Sequence, residues 1–345
     1  MMGKEARLVQ VVRRSLKAVF SGTDPLVLVA LSGGVDSVAL LGAVKSLVDG
    51  GVVRAVAIHV DHGVRAESTQ ESAAVTTFAE SLGFNVLSTR LEDDLHDRFP
   101  GVGMEEALRR GRYLAFRQFF VDAGADLVAL GHHQQDQAET VLMHILRGSG
   151  LRGAVGMTEF STIEVPWWAP SGDDRDVRSR VPLWRPFLDT PKQDLAAFVA
   201  ERGWPHWEDA SNQDRMFRRN AIRHDVLPLL EGIYPGSTGT LARFGQILDE
   251  DDAELDTMAR TALEEHAEEM TLPRDVLRRQ SAVIRRRMVR MWILRQVPGL
   301  ELSFQRVQAV ADAVARTGSG GVIEIGQRWS VTIGRDLVVL GSGGA

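Results

Sequence analysis

The sequence contains no cysteine. That excludes disulfides, thiolate metal sites and a thiol nucleophile. Lysine is scarce: of the 40 basic residues only Lys4, Lys17, Lys45 and Lys192 are lysines, which leaves 36 arginines. No apolar run approaches the roughly 18–20 residues needed to span a bilayer. The first twenty residues, MMGKEARLVQVVRRSLKAVF, alternate charge and apolar side chains at helical spacing. They lack the apolar core of a secretion signal, so a cytoplasmic location with no membrane partner is the expectation.

At 345 residues the chain has room for two domains, and 44% hydrophobic with 25% charged residues is ordinary for a globular protein. The formal charge of −6 argues weakly against nucleic acid, but the average hides two arginine clusters, RMFRRNAIR at 215–223 and RDVLRRQSAVIRRRMVRMWILR at 274–295. Arginine binds phosphate through a bidentate fork and stacks on bases. Solvated helix faces and codon bias explain the enrichment equally well.

The stretch LVLVALSGGVDS, residues 26–37, is the strongest local signal. Its apolar run reads as a buried strand, its glycines as a turn, and the pattern from Val35 onward as a helix. Ser32 and Ser37 offer hydroxyls, and Gly33, Gly34 and Val35 offer backbone N–H groups at a helix N-terminus. Together they form a site suited to phosphate. Asp36 in the same turn suggests Mg²⁺, because a carboxylate beside phosphates commonly holds that ion. The Gly-Lys-Ser/Thr ending of a Walker A loop is absent, and so is G-x-G-x-x-G. The bland alternative is a glycine turn with a Ser/Asp helix cap.

Further strands are expected at about 52–60, 85–91 and 126–133, alternating with helices at 4–20, 68–82, 103–120 and 135–147. Ser68-Thr69-Gln70-Glu71 supplies a capping pattern for the second of these helices. The alternation implies an α/β fold with a doubly wound parallel sheet and ligands at the C-terminal strand ends. Residues 158–182 read as a loop with at most one strand, 191–204 as a helix and 208–217 as a polar connector. Helices follow at 219–232, 237–268, 273–296 and 303–316. The chain closes in two or three short strands with turns at Gly326-Gln327 and Gly334-Arg335. No internal repeat is evident.

A second chemical stretch is GHHQQDQAETVLMHILRGSGLRG, residues 131–153. Helical spacing brings Asp136, Glu139 and Thr140 together at a first turn. His132 and His133 precede that helix at a strand end. The carboxylates are candidates to hold Mg²⁺ or orient a nucleophile, and His133 to stabilise charge. The spacing is not H-E-x-x-H, which counts against zinc. Either histidine alone also fits a helix cap or a core residue. His59 and His62 flank another strand end, where they line the nucleotide pocket or cap a loop. Glu106, Arg109 and Arg112 share a helix face, as a functional set or as a surface ion-pair ladder.

Together these stretches resemble tRNA(Ile)-lysidine synthetases, within the adenine nucleotide alpha hydrolase-like ATP pyrophosphatases. SGGVDS (32–37), HVDHGVR (59–65), RRGRY (109–113), GHHQQDQAET (131–140), LRGSGLRG (146–153) and WEDASNQDRMFRRNAIRHDVLP (207–228) look like that family's motifs in its order. The resemblance covers about residues 26–230 closely and the remainder loosely. It implies an ATP pyrophosphatase-type catalytic domain over 1–215. Over 216–345 it implies a smaller, mainly helical tRNA-binding domain that ends in a β hairpin.

The implied reaction uses ATP and Mg²⁺. O2 of the wobble cytidine in tRNA(Ile) with a CAU anticodon attacks the α phosphate and releases pyrophosphate. Free L-lysine then attacks C2 through its ε-amine, and AMP leaves. The resemblance assigns ATP binding to Ser32, Gly33, Gly34, Val35, Asp36, Ser37 and His59, with Asp36 on the metal. It makes Asp36, Arg112, His133, Asp136 and Glu139 catalytic, with Asp136 and Glu139 as candidates to accept the amine's proton. Phe217, Arg218, Arg219, Asn220 and Arg223 become the tRNA patch; an Arg219-Asn220 clamp between domains is the structural alternative. A homodimer is compatible with the sequence.

Three positions depart from the family pattern. Gln135 replaces the first of two adjacent acids, Ala210 stands where proline is common, and Leu108 replaces a small residue. The length leads to the expectation that an additional C-terminal domain of longer members is missing. Thiolases with the same loop need cysteine to carry sulfur, and glutamine-dependent synthetases need a glutaminase cysteine. An ammonia-dependent NAD synthetase needs neither but leaves the 207–228 run unexplained. A non-catalytic ATP-sensing module is the remaining alternative.

Overall fold

The amphipathic N-terminal stretch folds as α1 (Lys4–Val19) and the apolar run after it as β1 (Leu26–Ala30). In this computed structural model, described for all residues except 1–3, 64–67, 92–93, 169–178, 208–214, 216, 267–269, 298, 301, 317, 319–320, 327 and 343–345, β1 is buried on both faces. Val27 and Val29 pack into one hydrophobic cluster and Leu28 into another, all three fully inaccessible. Alternate side chains of a strand point to opposite faces, so a strand covered by helices on both sides is apolar throughout. Each such side chain contributes about 1.5–3 kcal/mol through burial.

The chain then alternates as expected: α2 (Val35–Asp49), β2 (Arg54–Asp61), α3 (Ser68–Ser81), β3 (Val86–Arg90), α4 (Leu95–Arg98), α5 (Met104–Ala123), β4 (Leu127–Ala129), α6 (Gln134–Leu146) and α7 (Leu151–Ala154). β4 is shorter than its apolar run, because the chain leaves the sheet before Gly131-His132-His133. β5 (Phe160–Val165) and β6 (Ser179–Trp184) follow where a loop was expected. They pair antiparallel, and β6 lies parallel to β4 through Leu183 and Trp184. Pro182, which lacks an N–H, and the polar residues of β5 hide this pair from a hydrophobic-pattern reading.

The six strands run in the order β3-β2-β1-β4-β6-β5. The order reverses between β1 and β4, and open α/β sheets bind ligands outside the strand ends at such a switch point.

After β6 come α8 (Lys192–Glu201), then α9 (Arg218–Ala221), a π-helical turn (Ile222–Val226) and α10 (Leu227–Ile233), then α11 (Ser237–Glu264). By contact the chain divides into two compact units, 1–168 with 176–248 and 169–175 with 249–345. The boundary after Leu248 differs from the expected one at 215. The reason is local: Ile222 and Leu227 pack with Ala138 of α6, and Arg219 and Arg223 pair with acids of α6.

The second unit holds β7 (Thr271–Pro273), α12 (Arg274–Arg279), α13 (Ala282–Gln296), α14 (Phe304–Ala315), β8 (Val322–Gly326), β9 (Trp329–Ile333) and β10 (Leu337–Ser342). Its antiparallel sheet runs β7-β10-β9-β8. The helix expected over 273–296 is two helices, because Ser281 caps α13 by accepting from Ile284 N–H at 3.4 Å. The buried Arg274 guanidinium donates to the carbonyls of Ala313, Val314, Arg316, Gly318 and Gly334, at 2.6–3.4 Å. Arg287 pairs with Asp252 and Asp256, and Arg290 donates to Leu302 O at 3.0 Å. Part of the second arginine cluster is therefore internal scaffolding.

The connector at 208–217, including Ala210, lies outside the described residues apart from Arg215 and Phe217, as do Val64-Arg65, the Ser68 side chain, most of the second half of the 158–182 loop and Gln327. No helix among the described residues is long and apolar enough to cross a membrane.

Candidate functional site

Gly33 makes the turn after β1 with φ of 89°, a conformation that glycine adopts freely. A Cβ there would also lie 2.7 Å from Val75 Cγ2. The turn holds itself through serine hydroxyls. Ser37 Oγ accepts from Ser32 N–H at 3.2 Å and donates to Gly34 O at 2.8 Å, and Ser32 Oγ stands 3.2 Å from it. Gly34 starts α2 without a side-chain cap, which leaves the first N–H groups of a fifteen-residue helix directed at the strand end. That is the arrangement that binds phosphate.

Facing it is the first turn of α6. His133 is its N-cap: Nδ1 accepts from Gln135 N–H at 3.2 Å and Asp136 N–H at 3.4 Å. Asp136 Oδ2 accepts from His133 N–H at 3.1 Å, which closes a capping box. With Nδ1 turned to the backbone, Nε2 stands 3.5 Å from both Asp36 Oδ2 and Asp136 Oδ2. His133 is thus a helix cap and a site residue at once. Burial opposes charge on its ring, but Asp136 and Asp36 prevail and raise its pKa. Protonation then costs the two long capping bonds.

Gly131 permits this closeness. A Cβ on it would meet the Asp36 carbonyl oxygen at 3.0 Å, so the two loops touch backbone to backbone. Sequence reading passed over Gly131; its signal was a glycine directly ahead of the paired histidines.

The two acids of α6 are buried and paired. Glu139 is fully inaccessible. Arg223 binds it with Nε to Oε1 at 2.6 Å and Nη2 to Oε2 at 2.9 Å, and Arg219 Nε reaches Oε2 at 2.9 Å. Both arginines also reach Asp136 Oδ1, at 2.8 Å from Arg223 and 3.3 Å from Arg219. Burial raises the Asp136 pKa, but His133, Arg219, His132 and Arg223 outweigh it and hold the carboxyl well below the usual range. Asp136 is therefore a fixed anion and a poor base. The pairing favours a structural role for Arg219 and Arg223, the alternative to tRNA contact, and a positioning role for Asp136. Phe217 and Arg218 are exposed as expected, whereas Asn220 is buried.

A cationic wall completes the pocket. Arg112 on α5 is half-buried beside the Tyr113 ring, 5.8 Å from its centroid, and its Nε has no hydrogen-bond partner among the described residues. Desolvation lowers its pKa, and Arg109 and Arg219 add to that. His132 is pushed down to about 3, by burial first, with Arg185, Arg219 and Arg112 adding to the effect. It is therefore neutral near pH 7, and its Nδ1 also lacks a partner among the described residues. Arg185, at the end of β6, donates to Thr158 O at 2.9 Å and Ser161 Oγ at 3.0 Å. Sequence reading missed Arg185, and nothing local marks it.

His59 and Glu106 make scaffold contacts. His59 is buried, and its Nδ1–H donates to Leu31 O at 2.7 Å, which ties the end of β2 to the end of β1. Glu106 pairs with Arg110 at 3.1 Å rather than with Arg109 or Arg112. Gln135 lines a groove of about 450 Å³ with Lys192, Arg223 and Glu231.

Oδ1 of Asp36 is buried without a partner among the described residues. An orphaned carboxylate oxygen beside a phosphate loop fits a hard divalent cation. No cluster of three or more His, Asp or Glu capable of holding a metal occurs among the described residues, so phosphate and water would complete the coordination.

Residues 8–230 match the PP-loop domain family, and 272–336 match the TilS substrate binding domain. The chain is similar to tRNA(Ile)-lysidine synthase of Ralstonia nicotianae, 38% identical over 84% of this chain and 60% of that protein. It is also similar to the enzyme of that name in Nocardia farcinica, 36% identical over 90% of this chain and 89% of that protein. It therefore spans less than two thirds of some curated relatives and most of another. Among solved structures, the U34-tRNA thiolase NcsA from Methanococcus maripaludis with its [4Fe-4S] cluster shares the fold, with a TM-score of 0.56 at 18% identity over 71% of this chain and 79% of that one. With the PP-loop over most of its length and a full-length relative in Nocardia, this chain belongs to the tRNA(Ile)-lysidine synthase family of PP-loop proteins.

Proposed function

We propose that the protein joins free L-lysine to C2 of the wobble cytidine in tRNA(Ile) bearing a CAU anticodon, by way of an adenylated cytidine. The observation that carries this reading is the convergence of the 32–37 loop and the α6 acids at the β1/β4 switch point, in a chain of this family. Cytosine O2 is a poor leaving group, so the base must be adenylated before an amine can displace it.

The 32–37 turn binds the ATP phosphates through its hydroxyls and the α2 N-terminus. Asp36 would hold Mg²⁺, which supplies positive charge against the pyrophosphate as it departs. Arg112 and the Nε2–H of His133 face the charge that develops at the reacting centre, in a site where burial strengthens each interaction. Asp136 positions the lysine amine, which attacks C2 as the free base and releases its proton to solvent as AMP leaves, while the fully buried Glu139 holds Arg219 and Arg223 in place. The ionised Asp136 suits that positioning role better than proton transfer.

The exposed Phe217 and Arg218 are the tRNA contacts on this unit, and exposed arginines of the stretch 272–336 supply others. Such a reaction belongs in the cytoplasm, where tRNA is processed.

The test is to incubate the protein with ATP, Mg²⁺, radiolabelled lysine and bulk tRNA. Label entering tRNA only in the presence of ATP supports the assignment. ATP binding with no pyrophosphate release, with or without tRNA, rejects it in favour of a nucleotide sensor.

A further inference from the structure

The second unit carries a groove of about 540 Å³ between α14 and β8, lined by Phe304, Gln305, Gln308, Asp312, Arg316 and Ile323. Its volume falls in the range of small-ligand pockets. Phe304 stands at one end, 66% exposed on the first turn of α14. A large aromatic ring left in water at a groove mouth invites a flat partner.

The groove is also organised. The Arg286 guanidinium carbon lies 5.6 Å from the Phe304 ring centroid. Arg286 Nη1 donates to Gln308 Oε1 at 3.0 Å, and Gln308 Nε2 donates to Asp312 Oδ1 at 2.7 Å. This relay fixes the amide orientation and aims a carboxylate along the floor. Behind it, Arg274 binds the carbonyls of Ala313 and Arg316 and so holds the C-terminal end of α14 in place.

Charge selects the partner. Residues 272–336 contain twelve arginines, no lysine and five acidic residues. A groove with an aromatic ring, a guanidinium stacked on it, Arg316 at its wall and amide groups matches an unstacked nucleotide of RNA. Its base stacks on the ring, and its phosphates meet arginine.

We propose that this groove is a subsite for one unpaired, splayed-out nucleotide of the tRNA substrate, with the base stacked on Phe304. The Asp312 carboxylate accepts hydrogen bonds only, so the groove favours a base edge that presents an N–H donor. This inference rests on the assignment of tRNA as substrate and adds where one of its nucleotides is held.

The experiment measures binding of a tRNA(Ile) transcript to the full chain across salt concentrations, with base-specific chemical footprinting and lysine uptake in parallel. Phe304→Ala is expected to weaken binding roughly 10-fold. Its salt slope should stay unchanged, because no phosphate contact is lost. One base protected by the wild type should become reactive. Phe304→Trp should bind as the wild type does, which separates loss of stacking from loss of fold. Wild-type affinity and an unchanged footprint in Phe304→Ala overturn the subsite while lysine uptake upholds the activity. A wild-type chain that binds no tRNA overturns both.

Discussion

Arg223 grips Glu139 with two guanidinium nitrogens, at 2.6 and 2.9 Å, across 84 residues of sequence. The carboxylate is fully buried, and Arg223 and Arg219 are its ion-pair partners. Breaking a buried pair from one side strands the other charge and typically costs about 3–5 kcal/mol. Arg223→Met should lower the denaturant midpoint accordingly, and adding Glu139→Gln should restore part of the loss. A midpoint that stays put in Arg223→Met would show that solvent reaches Glu139.

Arg218 and Arg219 are sequence neighbours with different fates. Arg218 is exposed, whereas Arg219 reaches Glu139 and Asp136. Arg218→Ala should leave stability within about 0.5 kcal/mol. It should also reduce the magnitude of the logarithmic salt slope of tRNA binding by about one. Arg219→Ala should do the reverse, losing stability with little change in slope. Equal slope changes in both variants would place Arg219 on the RNA.

Among the described residues Asp36 leaves Oδ1 without a partner, and it turns Oδ2 toward His133 Nε2 at 3.5 Å. Among the described residues its carboxylate holds no backbone group in place, so Asp36→Ala should fold normally and lose pyrophosphate release by at least about 10²-fold, the scale of removing one electrostatic stabiliser. Circular dichroism and a pyrophosphate assay report the two halves. Retained turnover would remove Asp36 from the metal and phosphate chemistry.

The strand, turn and helix over 26–49 were legible because three local signals coincide: a continuous apolar run, paired glycines and a helical period. The capping pattern of α6 was legible for the same reason. Arg219 and Arg223 were not, because their partners are 80 and more residues away and a basic cluster looks alike whether it faces RNA or a buried acid. Arg185 carries no local mark at all. β5 and β6 escaped because Pro182 and a polar edge strand break the alternation that reveals a buried strand. Arg274 sits in a run that reads as a charged helix face, yet it serves carbonyls at the end of α14.

His132 sets an acid limit on the first unit. Burial, together with Arg185, Arg219 and Arg112, pushes its pKa down to about 3 from the ordinary 6.5. Between those values the unfolded chain binds a proton that the folded chain refuses. Stability then rises with pH across that window, by at most about 1.4 kcal/mol per unit from this residue. Above pH 6.5 the ring is neutral in both states and contributes no slope. Replacing it with a neutral side chain of similar size, His132→Asn, should flatten the stability curve between pH 6.5 and about 4 relative to the wild type, with little effect on its slope above pH 7. Urea midpoints measured at half-unit pH intervals give both slopes. Parallel curves for the two proteins in the acid range would mean that His132 is protonated in the folded state.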